Sequence, residues 1–163
     1  MNSRTIGLTL VFLMGALLIQ TTLLARLEWF SPELVLTILL VVALGPIRRV
    51  PMLVIAFGSG LIIDLLGSLV IGMRALIYTV VIYLALRVRD RLDIGLIGMA
   101  VTVAGASLLF LALFFVVGTL FDQGTVISSD IGRRAIVVPL LDAAIAAAIY
   151  GPLQNLVTTE TIT

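Results

Sequence analysis

The stretch IGLIGMAVTVAGASLLFLALFFVVGTLF, residues 94–121, decides the fold, because it runs without a single charged side chain. About 20 apolar residues suffice for a helix to cross the hydrocarbon layer of a bilayer. The rest of the chain has the same character: 61% of its 163 residues are hydrophobic and 12% are charged. Its mean hydropathy is +1.28. Since soluble domains carry about 25% charged residues, the sequence predicts an integral membrane protein.

Polar breaks divide the chain into apolar segments, each of which is a predicted transmembrane helix. Two prolines and two arginines interrupt residues 45–51, and the most highly charged stretch is residues 87–93; lipid-buried helices do not accept either pattern. Glycines at positions 67 and 72 indicate a tight bend or a re-entrant segment. The predicted spans are residues 6–25, 34–44, 52–66, 75–86, 94–121 and 135–153, followed by a polar tail at 154–163. We therefore expect an all-α integral membrane protein, a compact bundle of about six transmembrane helices forming a single domain over residues 1–163.

The arginines predict the orientation of the bundle, because lysine and arginine are retained on the cytoplasmic side of a membrane. If the N-terminus is cytoplasmic, the arginines on that side are Arg4, Arg48, Arg49, Arg87, Arg89 and Arg91. The arginines on the outer side are then Arg26, Arg74, Arg133 and Arg134. This bias favours a multi-pass protein with both termini in the cytoplasm. The first apolar run is too long for a signal peptide and lacks an Ala-x-Ala cleavage site, so it is predicted to be a retained anchor.

The composition also narrows the possible chemistry. The chain has no cysteine and no histidine, which removes thiolate ligands, disulfides and the commonest general base. All basic residues are arginines dispersed among the predicted loops, so no continuous basic face is available for nucleic acid. We expect no enzymatic activity, no catalytic residue, no cofactor, no metal and no nucleic-acid partner.

Asp64 is the first residue that needs an explanation, because a carboxylate within an apolar span costs about a few kcal/mol unless it is paired, protonated or hydrated. Gly60 and Gly67 share its helical face, and small residues allow a neighbouring backbone to approach closely. One interpretation is a polar contact that specifies helix docking, or a solute or proton site. The other is a residue near the outer end of its span that reaches the interface or Arg74.

Asp142 stands in a similar position, within Pro139-Leu140-Leu141-Asp142 and followed by several alanines. A proton-coupled transporter uses such acids, but the predicted spans offer few other polar groups to form a cavity. The positions predicted to serve helix packing or partner contact are Gly60, Asp64, Gly67, Gly72, Arg74 and Asp142.

A family resemblance emerges around the same segment, which has the sequence FGSGLIID over residues 57–64. Phe57, Gly60, Leu61 and Asp64 fall in register with the pattern G-F-x-x-G-L-x-x-D, although Ala56 replaces its first glycine. Further matching features are Gln20-Thr21-Thr22-Leu23 at the end of the first span, Pro32-Glu33-Leu34 at the start of the second, Gly67, Gly72 and Ala75 after the motif, and Pro139-Leu140-Leu141-Asp142 at the start of the last span. In order, spacing and total length the chain resembles the MreD family of rod shape-determining proteins.

The resemblance implies a function. MreD-like proteins are non-enzymatic members of the elongation machinery in the bacterial inner membrane, where they support lateral peptidoglycan synthesis and rod cell shape. The implied partner is the bitopic scaffold MreC, and through it RodA, a class B penicillin-binding protein and the MreB filament, in addition to membrane lipid. No catalytic residues are implied.

The resemblance also supplies an alternative. The fold of the family is similar to that of the substrate-binding subunits of energy-coupling-factor transporters, so a vitamin-binding or small-solute-binding subunit is the second hypothesis. Those subunits dock through Ala-x-x-x-Ala in the first span, where this chain has only Ala16 and Ala25. A solute pocket would also require converging polar groups inside the bundle, and the sequence predicts too few of them.

Overall fold

The computed structural model describes residues 7, 13–16, 18, 33–45, 48–67, 70–91, 95–121 and 131–158. The described residues are helical apart from a few residues beside the helix ends and contain no strand, so the predicted all-α class is confirmed for this part of the chain. The helices are α1 (Leu34–Leu44), α2 (Arg49–Leu66), α3 (Met73–Arg89), α4 (Leu96–Leu120) and α5 (Ile131–Thr158). Outside the described residues lie Arg4, most of the predicted first span, Ala25, Arg26, residues 122–130 and the last residues of the predicted tail, as do the side chains of Arg133 and Arg134.

Helix α1 has the bounds of the second predicted span, whereas α2 begins earlier than predicted. The sequence predicts a loop through residues 45–51, yet Arg49 and Pro51 are helical. The physical reason is that the first N–H groups of a helix have no acceptor within it, so the missing N–H of a proline costs nothing in the first turn. The loop prediction is therefore wrong for residues 49–51.

Helices α3 and α5 also run past their predicted ends. Helix α3 includes Arg87 and Arg89, and basic side chains in a last turn interact favourably with the helix dipole. Helix α5 includes residues 131–134, predicted as loop, and residues 154–158, predicted as polar tail. Arginine and glutamine are good helix formers, so the polar composition of these segments does not end the helix.

The short helix α1 lies at the centre of the described bundle and contacts α2, α3, α4 and α5. Around it, α2 packs mainly against α3, and α4 mainly against α5. Most of α1 is fully buried, including Leu36, Leu39 and Leu40. A helix that is apolar on all sides requires such an environment.

The outer faces of the bundle are apolar. On α2, Val50 and Val54 are 73% and 66% exposed, and on α4, Ile97 and Leu120 are 80% and 77% exposed. By contrast, several polar side chains are buried; they are Thr37, Ser59, Asp64, Ser107 and Asp142. Within the described residues, α2 and α4 are the two helices long and apolar enough to cross a membrane.

Candidate functional site

Asp64 joins the end of α2 to the start of α3. Its Oδ2 accepts hydrogen bonds from the backbone N–H groups of Gly72 at 3.0 Å, Arg74 at 2.9 Å and Ala75 at 3.2 Å. These are the donors that the first turn of α3 leaves without helical acceptors. Gly72 precedes α3 with a φ of 94°, a left-handed conformation that glycine adopts without strain. Asp64 is therefore a tertiary cap on the N-terminus of α3.

Gly60 sets the separation between the same two helices. A Cβ atom at this position would lie 2.6 Å from the Cα of Ala75, so the two backbones are in direct contact. A Cβ atom at Gly58 would meet nothing within 4 Å. Of these two glycines, Gly60 is the one required by the crossing of α2 and α3, because any side chain there would push the backbones apart.

Arg74 contributes to the helical hairpin formed by α2 and α3 through its backbone and not through its charge. Its amide donates to Asp64, while its guanidinium carbon lies 5.7 Å from the centroid of the Phe114 ring, a cation–π contact with α4. Its Nε has no hydrogen-bond partner. Gly67, the remaining predicted residue of this region, ends α2 with its N–H donated to the Ile63 carbonyl oxygen at 3.0 Å.

Asp142 lies elsewhere, at the contact of α5 with α4 and α1. It is fully buried, and its Oδ2 accepts a hydrogen bond from the Ser107 hydroxyl at 2.7 Å. The Thr37 side chain and the Glu33 backbone lie beside the same carboxylate. Its Oδ1 is buried without a hydrogen-bond partner. The structure thus brings Gly60, Asp64, Gly72 and Arg74 together and places Asp142 in a separate polar region.

Tyr78 and Glu33 complete that region. The buried Tyr78 hydroxyl donates to Glu33 Oε2 at 2.8 Å, and the Thr37 hydroxyl donates to the Glu33 backbone oxygen at 3.1 Å. We call Glu33, Thr37, Tyr78, Ser107 and Asp142 the central polar cluster. Its members come from four helices or their ends, and the Tyr78 ring packs on Phe110 of α4 with centroids 5.6 Å apart.

Sequence reasoning identified Asp142 but missed the cluster around it. Glu33 lies at the start of the second predicted span, and Tyr78 resembles any aromatic residue near one end of a span. Their distance along the chain hides the contact, since Tyr78 follows Glu33 by 45 residues and Asp142 follows Ser107 by 35. The one available signal was a hydroxyl and a carboxylate, Ser107 and Asp142, in otherwise apolar helices.

The opposite end of the hairpin carries a charged contact. Arg89 donates to the carbonyl oxygens of Ala43 at 2.9 Å and Gly45 at 2.8 Å, and so caps the C-terminus of α1. Asp90 pairs with Arg49 at the start of α2. Desolvation opposes the ionisation of Asp90, but hydrogen bonds and charge from Arg89 and Arg49 outweigh it and hold the pKa of this carboxyl below its usual value.

The fold and these contacts define a class of structure: an all-α bundle with a buried polar centre and apolar outer faces. No family model, no curated protein and no solved structure matches the chain. Within the described residues, no group of histidine, cysteine, aspartate or glutamate side chains has the arrangement of a metal site.

Proposed function

We propose that this chain is a multi-pass protein of the bacterial inner membrane with about six transmembrane helices. The observation that supports this location is the arrangement of side chains, with Val50, Val54 and Ile97 outside and Asp64 and Asp142 inside. Soluble proteins rarely expose large contiguous apolar surfaces, whereas a bilayer solvates them. Short helices such as α1 fit the same proposal, because α1 is covered by protein on all sides.

We propose further that the protein is an MreD-like scaffold, which acts by holding MreC rather than by catalysis. The residues that carry the resemblance support this in two ways. Gly60 and Asp64 face inward and fix α2 against α3. Phe57, from the same motif, faces outward and is 47% exposed.

The surface that we assign to MreC is the outer face of α2, defined as Val50, Val54, Phe57, Leu61 and Leu65. These residues recur at helical spacing and form one stripe along α2. The stripe is continuous, and Gly60, on an adjacent side of α2, is in contact with the backbone of α3. In lipid, a partner helix would be held there by close packing, since lipid tails compete equally for apolar surface.

The decisive experiment isolates the tagged protein from its native membrane and asks whether an MreC chain is recovered with it. Phe57→Ala should reduce the recovery, whereas Leu108→Ala, an exposed apolar position on α4, serves as the matched control and should not. Asp64→Leu and Gly60→Leu should also reduce recovery, through loss of the α2–α3 packing. Equal recovery for Phe57→Ala and Leu108→Ala would contradict the assigned surface, and failure to recover MreC with the wild type would contradict the scaffold role.

One observation favours the alternative, a substrate-binding subunit of an energy-coupling-factor transporter. The central polar cluster is the kind of polar convergence inside the bundle that a solute site requires. Against it, Ala16 and Ala25 do not form an Ala-x-x-x-Ala motif. A ligand that binds only the folded state raises its stability, so a vitamin-dependent rise in the unfolding temperature would support the alternative. The scaffold proposal predicts no change with any vitamin.

A further inference from the structure

The side of α3 that faces away from the bundle changes character along its length. Leu76, Val80 and Leu84 are 59%, 37% and 42% exposed, so this side is apolar over most of the helix. Towards the C-terminus of α3 it continues with Tyr83, which is 40% exposed, and with the exposed side chain of Arg87. These positions recur at intervals of three or four residues and therefore lie on one face of the helix.

Arg91 extends this face by one further turn, although it lies beyond the last residue of α3. The chain keeps a helical turn there, because the N–H of Asp90 donates to the Leu86 carbonyl oxygen at 3.2 Å and that of Arg91 to the Val88 carbonyl oxygen at 3.0 Å. Arg91 is exposed and follows Arg87 by four residues. The two arginines thus belong to adjacent turns on one side of α3.

Tyr83 holds the guanidinium of Arg87 in place. The Nη2 atom of Arg87 donates to the Tyr83 hydroxyl oxygen at 2.6 Å, and the guanidinium carbon lies 5.2 Å from the centroid of the tyrosine ring. Since the hydroxyl oxygen is the acceptor in this hydrogen bond, its own proton remains for another acceptor. Arginine has five N–H donors, so Arg87 also retains donors beyond the one that Tyr83 uses. The pair is therefore a group of donors that suits an anion.

The neighbouring carboxylate does not neutralise these arginines. Asp90 pairs with Arg49 of α2 and with Arg89, and among the described residues it is the one carboxylate at this end of the hairpin. Neither Arg87 nor Arg91 forms an ion pair within that part of the chain. The C-terminus of α3 contributes a partial negative charge of about half an elementary unit. Two guanidinium charges exceed it, so this end of the face is positive.

We propose that Tyr83, Arg87 and Arg91 bind the phosphate of an anionic phospholipid. Guanidinium groups form strong charge-assisted hydrogen bonds with phosphate oxygens, and arginines beside the end of a membrane helix attract anionic lipid. Val80 and Leu84 continue the same face into the apolar layer, where the acyl chains of the lipid lie against them. A soluble phosphate would use the arginines and leave that apolar surface uncovered, whereas a lipid covers both.

The proposal rests on the proposed membrane location and is independent of the scaffold role. It also asks more of these residues than orientation does. Retention of a helix end on the cytoplasmic side depends on the number of positive charges near it. It does not depend on the Tyr83 hydroxyl or on which side of α3 an arginine lies, whereas a bound headgroup depends on both.

The test measures lipid binding to the full chain in mild detergent by native mass spectrometry. Phosphatidylglycerol is compared with phosphatidylcholine that has the same acyl chains, because the choline group neutralises the charge of its own phosphate. Each arginine near an anionic headgroup should contribute about a fivefold gain in affinity. Phosphatidylglycerol should therefore bind about 10- to 25-fold more tightly, and Arg87→Gln and Arg91→Gln should each lose about fivefold of that preference.

Two further variants distinguish a site from a general response to charge. Arg48→Gln is the matched control, since Arg48 is an exposed arginine at the same end of the hairpin but precedes α2; it should change the affinity by less than about twofold. Tyr83→Phe keeps every charge and should weaken phosphatidylglycerol binding by about fivefold through the loss of one hydrogen bond. Equal losses in Arg48→Gln and Arg87→Gln would overturn the proposal, as would an unchanged affinity in Tyr83→Phe.

The wild type alone also decides the question, so the test does not depend on the folding of any variant. Equal affinities for the two lipids would overturn the proposal. Glycerol 3-phosphate separates a lipid from a soluble phosphate, because it has the phosphate without the acyl chains. It should not displace phosphatidylglycerol at equal concentration, and displacement would contradict a lipid as the occupant.

The membrane proposal fails by a different result. Release of the protein from membranes by alkaline carbonate would contradict the location, whatever the two lipid affinities are. A protein that resists carbonate and binds both lipids equally would contradict the lipid site alone.

Discussion

Asp64 and Asp142 are both carboxylates buried among apolar helices, yet the protein satisfies them by different means. Asp64 receives three backbone N–H groups that are already fixed by the start of α3. Asp142 instead receives the Ser107 hydroxyl from another helix, and in both acids Oδ1 is buried without a hydrogen-bond partner. The difference indicates that Asp64 fixes the start of one helix, whereas Asp142 joins side chains that belong to separate helices.

The largest expected effect is that of Asp64→Leu, which removes the common acceptor of three N–H groups. Each buried donor left unsatisfied costs about 1–3 kcal/mol, so the variant should lose about 3 kcal/mol or more of the free energy of unfolding. Asp64→Asn keeps an acceptor oxygen but not the charge, and charge-assisted hydrogen bonds are roughly twice as strong as neutral ones. It should therefore be intermediate. Unfolding in denaturing detergent measures the free energy of unfolding of both variants. If Asp64→Leu did not lower it, the structural role assigned to Asp64 would be contradicted.

The next effect concerns the glycine pair of α2. Gly60→Ala should cost about 1–3 kcal/mol, since its Cβ would meet the backbone of Ala75 and overpacking is resisted. Gly58→Ala, the matched control, has space around its Cβ and should be neutral or more stable by up to about 1 kcal/mol through helix propensity. The same detergent titration compares them. If the two variants behaved alike, the close crossing of α2 and α3 would be refuted.

Asp142→Asn should have a much smaller effect than Asp64→Leu, and this contrast sharpens the comparison. The amide oxygen still accepts from Ser107, while the substitution removes a charge buried within the bundle. We expect a change within about 1 kcal/mol, in either direction, at neutral pH. A loss as large as that of Asp64→Leu would show that both acids are structural.

The smallest effect is expected at the exposed end of the hairpin. Because the pKa of Asp90 is lowered in the folded state, its contribution is present above the pKa of the unfolded chain and is lost as the pH falls through the folded value. Asp90→Asn should remove this acid-range dependence and change little at neutral pH, since exposed ion pairs contribute little. Stability measured against pH in low and high salt checks this, and the effect should weaken in high salt.

The sequence predicts local contacts better than distant ones, and the two acids show why. The donors to Asp64 lie 8, 10 and 11 residues further along the chain, so the glycines at 67 and 72 indicated a tight bend and a close approach. The sequence did not predict that Arg74 would donate its backbone amide, rather than its guanidinium, to Asp64. That contact depends on the backbone geometry at the N-terminus of α3.

The central polar cluster could not be predicted, because it depends on the packing of α1, α3, α4 and α5. No periodicity links Glu33 to Tyr78 or Ser107 to Asp142. The helix class followed from hydropathy and from the polar breaks. The positions of the helix ends could not be predicted in the same way, since Pro51 and Gln154 lie in predicted breaks or tails and are helical in the structure.

The most direct test of the membrane location uses the absence of cysteine from the chain. Single cysteines are introduced at Arg48, Val54 and Ile71, before, within and beyond α2, and treated with a membrane-impermeant maleimide in right-side-out and inverted vesicles. All three positions are exposed in the structure. The account predicts that positions 48 and 71 react from opposite sides and that position 54 reacts from neither, because lipid covers it. Reaction of all three positions from one side would contradict a membrane-spanning α2.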